Sequence, residues 1–154
     1  MEYPPKIFAR ATWAGGLSDV SQISENWRVA RLAYADLRHM GMPRTNLLLE
    51  GTEGVISNLI GLLQRHLDAP ITKWSPGQRL VLPRTGHGGT LILHEAGALS
   101  FDDQRRLLDW LELSDGEIRI VSTTSVGLMP HVQSGTFIET LFYRLNTVRV
   151  DATS

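Results

Sequence analysis

The 154-residue chain has no cysteine, which excludes a disulfide framework, a thiolate nucleophile and a zinc–thiolate centre. It has no excess of one charge either: 15 basic residues stand against 16 acidic ones, for a net −1. That balance removes the electrostatic footprint expected of a nucleic-acid binder or a protein that sits on anionic membranes. No apolar run approaches the roughly 20 residues that a membrane-spanning helix needs. The opening Met1-Glu2-Tyr3-Pro4-Pro5 lacks the basic start and apolar stretch of a secretory leader. A cytoplasmic protein is the expectation. There is no internal repeat and no low-complexity tract. What is present, at 42% apolar residues, suffices for one folded domain with its own core.

Residues 1–22, rich in Pro, Gly and Ser, read as an irregular lead-in to a core domain over 23–151, with a tail at 152–154. Trp27, Ala30, Tyr34, Leu37 and Met40 recur at steps of three and four, which predicts a helix over 24–40. Gly41 and Pro43 close it. Asn46–Glu50 reads as a buried strand, Gly51–Gly54 as a turn, and 55–67 as a helix carrying Ile56, Leu59, Ile60, Leu63 and Leu67. Ile71–Trp74 and Arg79–Leu82 read as short strands joined by the turn Ser75-Pro76-Gly77. Thr90–His94 is a continuous apolar strand. Ser100 is a natural N-cap for a helix to about Leu113, with Asp102 and Asp103 suited to its positive end. A strand over Ile118–Thr123, helices around 127–133 (with Pro130) and 136–143, and a strand over Thr147–Asp151 complete the order. Strands alternating with helices predict an α/β fold with a mostly parallel sheet covered on both faces.

The connection after the first of these strands is chemically informative. An apolar strand, Leu47-Leu48-Leu49-Glu50, runs through Gly51-Thr52-Glu53-Gly54-Val55 into a helix, the frame of a phosphate-binding loop. The working pattern is GxxxxGK[ST], in which the second Gly lets backbone close on phosphate, the Lys reaches the outer phosphates and the hydroxyl holds magnesium. Counting from Gly51, those three places hold Ile56, Ser57 and Asn58. A charge-assisted hydrogen bond contributes on the order of 1.5–3 kcal/mol, and this site forgoes several, so useful nucleotide affinity is not expected.

Three further segments carry a family resemblance. Gly88-Gly89-Thr90-Leu91-Ile92-Leu93-His94-Glu95-Ala96-Gly97 resembles the GGTLFLDEIG segment of the AAA+ domain of sigma-54-dependent transcription activators. Arg119-Ile120-Val121-Ser122-Thr123-Thr124-Ser125 resembles their RIIAATN strand. Gly135–Asn146 resembles their GxFREDLYYRLN helix. Leu48–Gly54 extends the likeness, less closely, to their LITGESGTGKE. The resemblance implies a three-layer α/β/α P-loop NTPase (AAA+) core in a bacterial, cytoplasmic regulator. It also implies roles at particular positions. The magnesium-holding Asp of Walker B is His94 here, and the water-polarising Glu is kept as Glu95. The sensor Asn is Ser125. Of two arginines that act on a neighbouring subunit's nucleotide, one position is Ile138 and the other keeps Arg144. Imidazole is a poor substitute for a hard oxygen ligand to magnesium. No counterpart of the family's sigma-factor-touching GAFTGA loop stands between Gly54 and Gly88. The helical lid and helix-turn-helix that follow the last strand in the family have no counterpart before Ser154.

The expectation is a catalytically degenerate AAA+ domain. Gly51, Thr52, Glu53, Gly54, Val55, Ile56, Ser57, Asn58, His94 and Ser125 would be its nucleotide-binding relic, and Glu95 and Arg144 its catalytic relics. No cofactor and no metal are expected. His87, His94 and Glu95 do not make a metal site, because neighbours on a strand point to opposite faces. The expected partner is a protein, an AAA+ activator or a signalling protein, with no direct contact to nucleic acid or membrane. The alternative is a residual ATP-binding or ATPase regulator of sigma-54-dependent transcription, with ATP and magnesium as cofactors. Arg105-Arg106 read as a solvated face, and Trp13, Trp74 and Trp110 as packing residues.

Overall fold

The computed structural model describes residues 7–10, 46–64, 67–114 and 116–151. Six strands form one sheet. They are β1 (Ile7–Arg10), β2 (Leu47–Glu50), β3 (Ile71–Trp74), β4 (Thr90–Leu93), β5 (Arg119–Thr124) and β6 (Val148–Asp151). Their spatial order is β1-β6-β2-β5-β4-β3, and every neighbouring pair is parallel. The helices are α1 (Glu53–Leu63), α2 (Phe101–Ser114), α3 (Met129–Gln133) and α4 (Glu139–Leu145).

Strand alternation builds two cores. Leu48, Leu91, Leu93 and Ile120 point to one face, where Leu107 and Leu111 of α2 and Leu141, Phe142 and Leu145 of α4 cover them. Leu47, Leu49, Ile92, Val121, Val148 and Val150 point to the other, where Val55, Ile56, Leu59 and Leu63 of α1 pack. Strands buried on both faces read as unbroken apolar runs, which is why Leu47–Leu49 and Leu91–Leu93 show no alternation in sequence. The layers are helix, sheet and helix.

Several local predictions hold. Ser100 Oγ accepts the Asp103 amide at 3.2 Å and caps α2. Pro130 sits in the first turn of α3, where its missing amide proton costs nothing. Trp74 and Trp110 are buried, their indole N–H groups donating to the Gln78 and Pro83 carbonyls. Arg105 and Arg106 are exposed, and Arg106 bonds Asp103 at 3.0 Å. Gln104 is wholly buried, its amide donating to the Leu99 and Thr136 carbonyls and accepting from the Ile138 amide. It ties α2 to the start of α4.

Other predictions are corrected. Ile7–Arg10, expected within an irregular lead-in, is a strand in register with Val148–Asp151. Arg79–Leu82 is not a strand. A hairpin would make its partner antiparallel, but β3 pairs parallel with β4, and Leu80 instead drops into the core on the α2 face. The helix expected over 55–67 begins earlier and ends at Leu63. The helix expected over 24–40, and Trp13, lie outside the described residues.

Gly89 shows why Gly88-Gly89 precedes β4. Its φ is +118°, and a Cβ there would stand 2.6 Å from the Pro70 carbonyl oxygen. The same carbonyl accepts the Thr90 amide at 3.0 Å, so the glycine lets two chain segments close at the foot of the sheet. Arg119 opens β5 fully buried. Desolvation lowers its pKa to about 10, which leaves it protonated at neutral pH.

Candidate functional site

In an open parallel sheet, ligands bind beyond the carboxyl ends of the strands, where the strand order reverses direction. That point lies here between β2, which crosses through α1 toward β3, and β5, which crosses through α3 and α4 toward β6. The Gly51 amide donates to the Thr124 carbonyl at 3.1 Å and draws the two strand ends together.

The link between β2 and α1 is only Gly51 and Thr52. The sequence predicts a turn over Gly51–Gly54, but the helix already begins at Glu53. Glu53 and Gly54 are exposed in its first turn, and Thr52, in extended backbone, makes no side-chain cap. The Ile56 amide donates to the Thr52 carbonyl at 2.9 Å, an ordinary helical bond. Val55 and Ile56 are each 3% exposed and face the sheet. Ile56 is thus a helical core residue, and the left-handed conformation it would resist is not demanded there. Ser57 and Asn58 are exposed on α1.

Glu50, the last residue of β2, is buried and pairs with Arg149 of β6 at 2.5 Å. Its carboxylate oxygens lie within 3.9 and 4.0 Å of where a Cβ on Gly127 would stand. Sequence reasoning did not single this pair out. The available signal was a carboxylate ending an otherwise apolar strand and a cation inside Val148-Arg149-Val150.

His94 and Glu95 follow β4 in a tight turn. Glu95 has φ 52° and ψ 63°, the left-handed region that a non-glycine residue enters at a cost of order 1–2 kcal/mol. It turns Oε1 to accept the Ser125 amide at 3.0 Å. His94 turns the other way, with Nδ1 3.2 Å from Thr123 Oγ1. The two side chains have separate partners, and a turn, not strand alternation, sets their positions. Among the described residues no three His, Asp or Glu side chains stand together as a metal site would need.

The other candidates separate. His94 and Ser57 line one groove on the α1 face, while Glu95 and Ser125 meet at the β5 end. Arg144 lies across the sheet, where it bonds Glu112 at 2.6 Å and the Leu111 carbonyl at 3.4 Å. It fastens α4 to the carboxyl end of α2, a favourable place for a cation.

A parallel sheet layered by helices, with its switch point at the β2–α1 link, defines an α/β/α domain of the P-loop type. The family model described as the sigma-54 interaction domain matches residues 43–154, and the chain belongs to that family. It is similar to the DNA-binding transcriptional regulator NtrC of Escherichia coli K12, 41% identical in an alignment of 76 residues that covers 41% of this chain and 16% of NtrC. With NtrC of Rhizobium meliloti it is 38% identical over 72 residues, covering 40% of this chain and 15% of the relative. Among solved structures it resembles NtrX from Brucella abortus in complex with ADP, with a TM-score of 0.58, 22% identity, and coverage of 92% of this chain and 37% of NtrX. That likeness establishes the AAA+ fold. The chain spans about a sixth of the curated relatives it matches. No described helix is long and apolar enough to cross a membrane.

Proposed function

We propose that this domain is a catalytically degenerate member of the sigma-54 interaction family that acts by protein contact, without hydrolysing nucleotide. The observation that carries the reading is the two-residue link between β2 and α1. A phosphate loop cradles its ligand with successive backbone amides in a wide turn, a Lys and a magnesium-holding hydroxyl. Here the chain enters the helix at once, and Ile56 fills the core. Glu50 adds a buried carboxylate at the base of the same turn, beside the exposed carboxylate of Glu53. Glu50 is neutralised by Arg149, and the charge of Glu53, unpaired among the described residues, opposes a triphosphate at this point. His94 is committed to Thr123, and Arg144 to Glu112. A protein partner, an AAA+ activator or a signalling protein, fits a domain that keeps the family's scaffold.

A second reading has one observation in its favour. Glu95 stands at the strand ends with its carboxylate anchored by the Ser125 amide, as a general base would be held. Under it the domain is an ATP-binding regulator, with ATP and magnesium over Gly51–Val55. Calorimetry separates the two. The first expects no MgATP binding tighter than high micromolar and no turnover. Magnesium-dependent binding below that range, or an ATPase rate abolished by Glu95→Gln, overturns it.

A further inference from the structure

A groove of about 300 Å³ opens between α1, β3 and the carboxyl ends of β4 and β5. Its apolar side is Ile56, Ile60, Ile92 and Trp74, and its polar side includes Ser57, Gln64, Lys73, Ser75, His94 and Thr123. Three features bear on what it holds. The volume is at the lower end of small-ligand sites. Among the described residues Lys73 is the one formally charged lining residue, and none of the described lining residues is a carboxylate. The third is the state of His94. Thr123 Oγ1 accepts the Glu95 amide at 3.2 Å. The hydroxyl either donates its one proton to His94 Nδ1, 3.2 Å away, or accepts from it, as the ring's tautomer decides. With Oγ1 as the donor the ring carries its proton on Nε2, which has no partner among the described residues. An ammonium, hydroxyls and an imidazole N–H ring an apolar floor.

We propose that this groove binds a small organic carboxylate with a compact apolar body, the carboxylate at Lys73 and His94 and the body against Ile60 and Ile92. The groove shares Ile56, Ser57 and His94 with the nucleotide-binding relic, and this assignment rests on the reading that nucleotide does not occupy that site. A bare anion would leave the apolar floor unused, and a neutral apolar molecule would leave the ammonium unused.

The test titrates benzoate into the isotopically labelled full chain and follows backbone amide resonances. Benzyl alcohol, inorganic phosphate and MgATP are compared. Benzoate is expected to move Ser57, Gly61 and Ser75 saturably, with a Kd on the order of 1 mM, the range open to so small a ligand. Benzyl alcohol and phosphate are each expected to bind about tenfold more weakly, and Lys73→Gln to weaken benzoate by a similar factor. Gly61 guards against a folding artefact. It lines the groove from α1, and a Cβ there meets nothing within 4 Å. Gly61→Leu should therefore fold, fill the groove and abolish the benzoate shifts. No saturable shift up to about 20 mM benzoate overturns the proposal. So does equal binding of benzyl alcohol or phosphate, or unchanged benzoate binding in Gly61→Leu. MgATP shifts confined to Glu53–Val55 would count against the degenerate reading and leave the groove to be judged by benzoate alone.

Discussion

At the scale of single residues, buried polar groups in this domain act mainly as fasteners. Gln104 satisfies two carbonyls and one amide from segments 32 to 34 residues away and from its own helix entry. Asn46 does similar work between strands, donating to the Arg144 carbonyl at 2.8 Å and accepting the Ile120 amide at 2.9 Å. An apolar isostere cannot replace such a group, because it leaves the backbone partners buried without a bond. Gln104→Leu is expected to cost about 3 kcal/mol, counting part of the penalty of each orphaned group. Urea unfolding should show the midpoint lowered by about 1–2 M with the slope unchanged. A loss under about 0.5 kcal/mol would mean that water or a shift of residues 136–138 supplies the missing bonds. Ile56 is instructive at the same scale. Its identity alone tells that a phosphate-gripping glycine is missing, but not why a branched side chain is comfortable there. That answer needs the helix register, which turns it toward Leu49 and Val150.

At the scale of elements, most of the chain was legible. Apolar runs of strand length marked β2 and β4, and the Ser100 cap with its two aspartates marked α2. Two places failed for physical reasons. Ser75-Pro76-Gly77 is a strong turn signal, but a turn does not require a hairpin. Ile71–Trp74 finds its partner in Thr90–Leu93, and this long-range parallel pairing leaves no local trace. Ile7–Arg10 is four residues long, and its pairing with β6 spans nearly the whole chain. The start of α1 differs from expectation because Gly54 signals a turn, although an exposed first turn tolerates glycine. The same helix carries Gly61 in open space. Gly61→Ala is therefore expected to stabilise α1 by about 0.5–1 kcal/mol, since alanine restricts the unfolded chain and adds no clash. Thermal unfolding should rise by a few degrees. A fall would show that the face of α1 bearing Gly61 is covered in solution.

At the scale of the whole molecule, the inherited strand order still brings the β2–α1 link, Glu95 and Ser125 to one edge of the sheet. The family scaffold was legible from motif order, because each motif sits at a strand end or a helix start whose place the fold dictates. The condition of the site was legible only in part. Ile56 and His94 are visible in sequence, whereas the early start of α1, the Glu50–Arg149 pair and the Arg144–Glu112 bond require coordinates. This matters for any attempt at reversal. If only side chains were at fault, His94→Asp would return an oxygen ligand for magnesium and part of the nucleotide affinity. If the backbone is at fault, no side-chain change helps, because the Ile56 amide is spent on the Thr52 carbonyl and the chain makes no wide turn whose amides could surround a phosphate. On the degenerate reading, His94→Asp binds MgATP no better than the parent protein by calorimetry. Replacing Gly51–Asn58 with the family's GESGTGKE in that same variant raises affinity at least about tenfold, because a wide turn, a Lys and a magnesium ligand return together. Micromolar MgATP binding by His94→Asp alone would place the defect in the imidazole and not in the chain's path.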